Sequence, residues 1–250
     1  MATVEKTQSW RSIHTDYLGF AVSTYRACQE KAPVPNGVIN LHRHAIDTIR
    51  YSYDCFESSV EFVYHMGRLN QLRILIPSNW LTRYIERNWR NLSLSDRIGF
   101  LAYAWAGEQF WRTEDQLRLF HEWKRVRDGL THPVPFGTEL EQEILMRQEP
   151  ADGITLTQSR LVSPPKQVGS ESMVFSSQGA IAQFSQNPSS LEEEDAAKAL
   201  EILLHHLARL EDVFFDGRST WFSFYDSATN SISTTTDLLD LMECRFAKIW

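Results

Sequence analysis

An arginine and a histidine five positions apart are the residues of this sequence best suited to chemistry. Arg127 and His132 lie within the run Trp123-Lys-Arg-Val-Arg-Asp-Gly-Leu-Thr-His132-Pro133. Arginine carries a permanent charge on a planar fork that fits a phosphate, and histidine exchanges a proton near neutral pH. Metal-independent RNA cleavage needs a proton donor or acceptor and a cation that stabilises the transition state. The pair therefore indicates phosphodiester chemistry.

The pair follows a predicted helix that must position it. Thr113 can cap that helix, and its apolar face consists of Leu117, Phe120, Trp123, Val126 and Leu130. Pro133 and Pro135 end the helix, so Arg127 and His132 come at its carboxyl end. A purely structural alternative is that both cations stabilise the negative end of the helix, with Arg127 paired to Asp128 or to another acid.

Helical periodicity extends over most of the remaining chain. It predicts helices over Thr15–Glu30, Leu41–Leu69, Trp80–Arg90, Ser95–Phe110, Ser190–Phe214 and Thr236–Ile249. Residues 136–190 are rich in Ser, Thr, Gln, Pro and Gly and predict an irregular insertion, in which a strand at Ile154–Val162 pairs with Ser172–Phe175. We therefore expect a single all-α domain spanning 1–250, with a small irregular or β insertion at about 136–190 and a C-terminal helix at about 236–249.

The motif resembles that of the HEPN superfamily, in which an arginine is followed by Asn, Asp or His and, a few residues later, by a histidine. Arg127 is followed by Asp128, and four residues separate it from His132. The resemblance covers about 40–135 and the helix at 191–215. It implies a HEPN-like bundle of four to five helices and a homodimer in which two Arg/His pairs face each other.

The resemblance also implies an activity. It predicts a metal-independent endoribonuclease that leaves a 2′,3′-cyclic phosphate and needs no cofactor, often a toxin or defence component with an antitoxin or regulatory partner. His132 would be the general acid or base, Arg127 the phosphate anchor and Asp128 a polar orienter. In the family an acid on the earlier long helix often supports the pair; Asp54, Glu57 and Glu61 are candidates, with Glu57 preferred.

A non-catalytic function is the alternative. Gly129 weakens the helix inside the motif, and Pro133 fixes the chain directly after His132. Both features could aim the histidine, or could belong to a branch that keeps the fold without cutting RNA. That branch would be a HEPN-like dimeric binding or regulatory module.

The charge is unevenly distributed along the chain. The net charge is −7, but residues 1–135 carry 17 Lys and Arg against 14 Asp and Glu, which is 17 − 14 = +3. Arg83, Arg87 and Arg90 recur at helical spacing and could bind an RNA backbone, with Trp80 and Tyr84 beside them to stack on bases. The alternative is a solvated helix face whose aromatic residues belong to the core.

Other classes of protein are disfavoured by what the sequence lacks. Three cysteines are too few for a disulfide framework and indicate a reducing compartment. There is no signal-peptide pattern and no membrane-length apolar run, which predicts a cytoplasmic protein without a membrane partner. No phosphate-binding loop or zinc-protease motif occurs, and His42 and His44 would diverge on a helix, so no metal site is predicted.

Overall fold

The computed structural model describes residues 13–32, 41–68, 83–84, 87–131, 137–139, 142–148, 156–161, 166–168, 179–185, 190–217 and 221–250. Helices make up most of the described residues, so the predicted helical class is confirmed. None of the helices in these ranges combines the length and the apolar character needed to span a membrane.

Two antiparallel helices form one side of the fold, α1 (Ile13–Gln29) and α2 (Leu41–Arg68). The Cys55 thiol donates to the His14 carbonyl, and a His44 ring nitrogen donates to the Ala32 carbonyl. Between these two contacts, the Thr48 hydroxyl donates to the Thr24 hydroxyl. Because the residue numbers of these pairs run in opposite directions, the two helices are antiparallel. Both agree with their predicted ranges to within a few residues.

In the region after α2, the described residues of the predicted Trp80–Arg90 helix are helical, and the helix predicted over Ser95–Phe110 ends early. Residues 83–84 and 87–88 are helical, and Trp89–Asn91 forms a 3₁₀ turn. Helix α3 (Leu94–Leu101) is capped by the Ser93 hydroxyl rather than by Ser95, since Ser93 accepts from the Asp96 amide. It continues as a π-helical turn over 102–106 and ends at Gly107, whose φ of 74° favours glycine.

Helix α4 (Glu114–Thr131) begins where the sequence predicts, with the Gln116 amide donating to the Thr113 hydroxyl at 3.2 Å. Helix α5 (Glu193–Phe214) starts after a capping box of Glu192 and Asp195, slightly later than the predicted Ser190. It is buried along most of its length and packs against α1, α2 and α4.

An aromatic cluster fills the space between α2, α4 and α5. The ring of Phe56 lies 5.9 Å from Phe120, 6.1 Å from Trp123 and 5.0 Å from His206, centroid to centroid. All four side chains are fully buried. This packing sets the position of α4, and with it the position of Arg127, relative to α2.

The predicted insertion holds two antiparallel pairs of strands: β1 (Gly137–Glu139) with β4 (Lys166–Val168), and β2 (Gln142–Gln148) with β3 (Leu156–Leu161). Strand β3 matches the prediction, but its partner is β2 and not Ser172–Phe175, a segment that lies outside the described residues. Only seven residues separate β2 from β3, so this pairing closes a short loop.

The C-terminal region differs from its prediction. A hairpin of β5 (Ser223–Asp226) and β6 (Ser231–Thr234) precedes α6 (Thr235–Asp240), which ends well before the predicted Ile249. The following residues form turns and lie against α5, because Phe246 is buried there and its amide donates to Glu201 at 2.6 Å. These tertiary contacts replace the helical hydrogen bonds expected from periodicity.

Candidate functional site

Arg127 is held by acids from its own helix and from α2. Its Nη2 lies 3.2 Å from Asp54 Oδ1 and 3.7 Å from Glu57 Oε2, and its Nη1 lies 3.2 Å from Asp128 Oδ1. The Asp54 and Asp128 contacts are hydrogen bonds, whereas the Glu57 contact is a longer ion pair. The side chain is 21% exposed, so it is fixed in place but still reaches solvent.

An aromatic ring also contacts the guanidinium of Arg127. The guanidinium carbon lies 4.7 Å from the centre of the Tyr53 ring, a distance typical of a cation–π contact. Tyr53 itself packs edge-on against Trp123 at 5.2 Å. Burial has the largest single effect and works against the charge of Arg127. The hydrogen bonds and charges of Asp54, Asp128 and Glu57 together outweigh it, and the pKa of Arg127 is raised. The cation is therefore permanent and positioned by the core.

Side-chain contacts stabilise the last turn of α4 next to Arg127. The Thr131 hydroxyl donates to the Arg127 carbonyl at 2.9 Å, and Asp128 is paired with Lys124 as well as with Arg127. His132 comes directly after Thr131 but lies outside the described residues. The helix end thus leads to His132, while the distance from Arg127 to the histidine stays a prediction.

Three acids lie along one side of α2 and form a ladder with two arginines. Asp54, Glu57 and Glu61 are spaced by three and four residues, which places them on one helix face. Arg127 pairs with Asp54 and Glu57, and Arg97 pairs with Glu57 at 3.9 Å and Glu61 at 2.9 Å. Glu57, the acid preferred from sequence, lies between the two arginines, and Asp54 makes the hydrogen bond to Arg127.

Glu61 connects the ladder to the core. Its carboxylate accepts from the Trp89 indole at 2.8 Å, and the Trp89 ring stacks on Tyr64 with centroids 4.0 Å apart. Arg97 lies over the Trp89 ring at 5.4 Å. Trp89 is buried, so it belongs to the core and is not available to stack on a base. The sequence does not predict that Arg97 pairs with the acids of α2, because the spacing between them along the chain carries no signal.

The predicted RNA-binding arginines are accessible. Arg83, Arg87 and Arg90 are all exposed, and the Arg90 carbonyl accepts from Arg97 at 3.4 Å. This hydrogen bond places Arg90, the last of these three arginines, next to the ladder. Tyr84 is 45% exposed and touches Phe100, while Trp80 lies outside the described residues.

The charges at the site nearly balance. Within the described residues the ladder and its neighbours comprise three cations and four carboxylates: Arg97, Lys124 and Arg127 against Asp54, Glu57, Glu61 and Asp128. The local sum is therefore 3 − 4 = −1, before any contribution from His132. A phosphate at Arg127 has to compete with carboxylates for the guanidinium.

The other histidines do not join this site in the described part of the chain. A ring nitrogen of His42 donates to the Leu191 carbonyl at 2.7 Å, whereas His44 binds the Ala32 carbonyl. His121 is exposed, as the sequence predicts. His206 is buried in the core, but it does not end the apolar stripe as predicted, since Leu207 and Leu210 are buried after it. Comparison of the chain with family models, with curated proteins and with solved structures finds no match.

Proposed function

We propose that this chain is a HEPN-like, metal-independent endoribonuclease with Arg127 and His132 at its centre. The observation that carries the proposal is the placement of Arg127 near the end of α4, hydrogen-bonded to Asp54 of α2 and five residues before His132 in the sequence. An acid of the earlier long helix supporting the motif arginine is what the HEPN resemblance leads one to expect. The proposal includes a cytoplasmic homodimer acting as a toxin or defence component.

The chemistry requires no metal. His132 takes the proton of the ribose 2′-hydroxyl, the O2′–P bond forms, and the P–O5′ bond breaks to leave a 2′,3′-cyclic phosphate. The leaving 5′ oxygen takes a proton from the second His132 of the dimer. Arg127 donates to the non-bridging oxygens as charge develops on them. Asp54 and Asp128 orient the guanidinium through their hydrogen bonds, and Glu57 supports it at 3.7 Å until the phosphate takes its place. Arg83, Arg87 and Arg90 bind the flanking phosphates.

Arg127 retains the capacity to bind a phosphate. A guanidinium has five N–H donors, and the hydrogen bonds to Asp54 and Asp128 within the described residues engage two of them. Glu57 lies at 3.7 Å, beyond hydrogen-bonding distance, so the guanidinium is less tightly engaged on that side. An incoming phosphate oxygen would approach there.

A non-catalytic HEPN-like dimeric module, which binds a regulatory protein or an antitoxin, is the second candidate. The three carboxylates around Arg127 favour it, because these acids offset the cation that a phosphate would need. In that case the Arg127 cluster has a structural role and joins α4 to α2.

One assay separates the two candidates. Purified protein is incubated with mixed RNA in EDTA, and the products are analysed for 2′,3′-cyclic phosphate ends. We expect cleavage by the wild type and a loss of at least about 100-fold in rate for Arg127→Ala and for His132→Ala.

Arg125→Ala is the matched control, since Arg125 lies on the same helix but is exposed. It should cut at nearly the wild-type rate. Intact RNA with the wild type, or equal cleavage by all variants, refutes the nuclease and leaves the binding module.

A further inference from the structure

A glutamate, a histidine and a cysteine converge at the carboxyl end of the chain, away from Arg127. Glu201 and His205 lie one turn apart on α5, and Cys244 lies in the turns after α6. Each of the three side chains offers one atom that can bind a metal, and these three atoms all lie within 4.8 Å of one another. No other such group of three or more His, Cys, Asp or Glu occurs within the described residues. Tertiary folding brings the Cys244 thiol next to Glu201 and His205, although about forty residues of sequence separate it from them.

The histidine of this set has an unsatisfied nitrogen. His205 Nε2 is buried, and within the part of the chain that is described it has no hydrogen-bond partner. Glu201 Oε1 lies 3.6 Å from this nitrogen, beyond hydrogen-bonding distance, and accepts from the Phe246 amide at 2.6 Å. A buried polar nitrogen without a partner is unusual in a native fold, and here it faces a carboxylate and a thiol.

We propose that Glu201, His205 and Cys244 bind a Zn²⁺ ion. Zinc accepts thiolate, imidazole and carboxylate ligands together. A tetrahedral zinc site places its nitrogen and oxygen ligands about 3.4 Å apart. The observed 3.6 Å between His205 and Glu201 therefore fits almost without movement.

The remaining ligand positions are also compatible with zinc. Cys244 has to move by about 1.3 Å at most to reach a Zn–S distance of about 2.3 Å, and it lies on an exposed turn that can adjust. On binding, the thiol gives up its proton to solvent and the thiolate becomes the ligand. A water completes the tetrahedron on the exposed side.

The ion would fasten the C-terminal segment to α5. That segment is already held by the Phe246 amide on Glu201 and by the Ile249 carbonyl, which accepts from Gln116 at 2.9 Å. The ring of Trp250 stacks on His205 with centroids 5.5 Å apart, so its fluorescence reports on the ligand. The site is separate from Arg127 and supplies stability, and the proposed RNA cleavage does not depend on it.

Zinc titration of the full chain tests the proposal. Chelator-stripped protein is titrated with ZnCl₂ by calorimetry at neutral pH, and Co²⁺ is added to a parallel sample. We expect one Zn²⁺ per chain, a change in Trp250 fluorescence, a higher Tm with zinc and a thiolate-to-Co²⁺ absorption band. Cys244→Ser should weaken binding by at least about 100-fold, because loss of outer-shell partners alone costs 10- to 100-fold.

Cys28→Ser and His121→Gln are matched controls that leave the three ligands in place, and both should bind zinc as the wild type does. His205→Gln should lose binding like Cys244→Ser. If His205→Gln fails to fold, Cys244→Ser still decides the question, because Cys244 is exposed. No zinc uptake by the wild type, or equal affinity in Cys244→Ser, overturns the proposal without affecting the RNA assay in EDTA.

Discussion

Glu211 and His14 hold the two sides of a single peptide group, and this arrangement makes stability depend on pH. The Phe222 amide donates to Glu211 Oε1 at 3.3 Å, and His14 Nε2 donates to the carbonyl of Trp221, the other half of that peptide, at 3.4 Å. Glu211 is 3% exposed, and burial raises its pKa to about 7. Replacing it with glutamine keeps its shape and removes its charge.

The size of the effect follows from the pKa. A rise from 4.5 to about 7 corresponds to about 3 kcal/mol. The folded state binds the proton more tightly than the unfolded state, so this contribution to stability is present below about pH 4.5 and is lost as the pH rises to about 7. Glu211→Gln lacks that loss. Relative to the wild type, it should gain up to about 3 kcal/mol between pH 4.5 and pH 8.

The assay is urea denaturation at a series of pH values, followed by tryptophan fluorescence. The free energy of unfolding of the wild type is subtracted from that of Glu211→Gln at each pH, so that contributions common to both proteins, including that of His14, cancel. Glu30→Gln, which removes an exposed acid, is the control and should give a flat difference curve. A difference curve for Glu211→Gln that changes by less than about 0.5 kcal/mol over this range refutes the reasoning.

Two other buried groups give predictions that the same measurement checks. Asp226→Asn should cost about 2 kcal/mol at neutral pH, because Asp226 accepts two hydrogen bonds of 2.7 Å from Arg26. The hydrogen bonds from Arg26 lower the pKa of Asp226, so its contribution is present above about pH 4 and the cost should shrink as the pH falls below that value. Burial lowers the pKa of His206 to about 3, so its contribution to stability is lost as the pH falls from about 6.5 towards 3. His206→Gln should therefore give a difference curve whose slope is opposite in sign to that of Glu211→Gln, and an equal slope in both would contradict the assignment.

Local patterns in the sequence predict the long helices well and the short elements poorly. Helices α1, α2, α4 and α5 have apolar stripes, caps or stopping residues that act within a few positions along the chain. The β5–β6 hairpin has no such signal. It is held by distant contacts, such as the ion pair of Asp226 with Arg26 and the Thr235 hydroxyl donating to the Phe222 carbonyl. Contacts of this kind override local preference.

The candidate site shows the same division. The motif arginine and a set of three acids on α2 could be named from spacing alone, because residues three or four apart share a helix face. The choice among the acids could not be made in this way. It depends on how far α4 slides along α2, and the packing of Tyr53 on Trp123 and Phe120 determines that offset. Asp54 therefore makes the hydrogen bond to Arg127, and Glu57, the acid that the sequence favours, makes the longer ion pair.

The position of Glu57 between two arginines bears on how the proposed nuclease would admit its substrate. A phosphate that takes the place of Glu57 at Arg127 displaces a contact of 3.7 Å and not a hydrogen bond. The carboxylate released in this way still has Arg97, at 3.9 Å, as a partner, so it is not left as an unpaired, half-buried charge. Substrate binding at the Glu57 contact therefore requires less reorganisation than displacement of Asp54, which pairs with no second arginine among the residues that the structure describes. Glu57→Gln should consequently weaken the contact between Arg97 and α2 yet preserve or tighten RNA binding. Asp54→Asn should instead release Arg127 from α2 and weaken RNA binding.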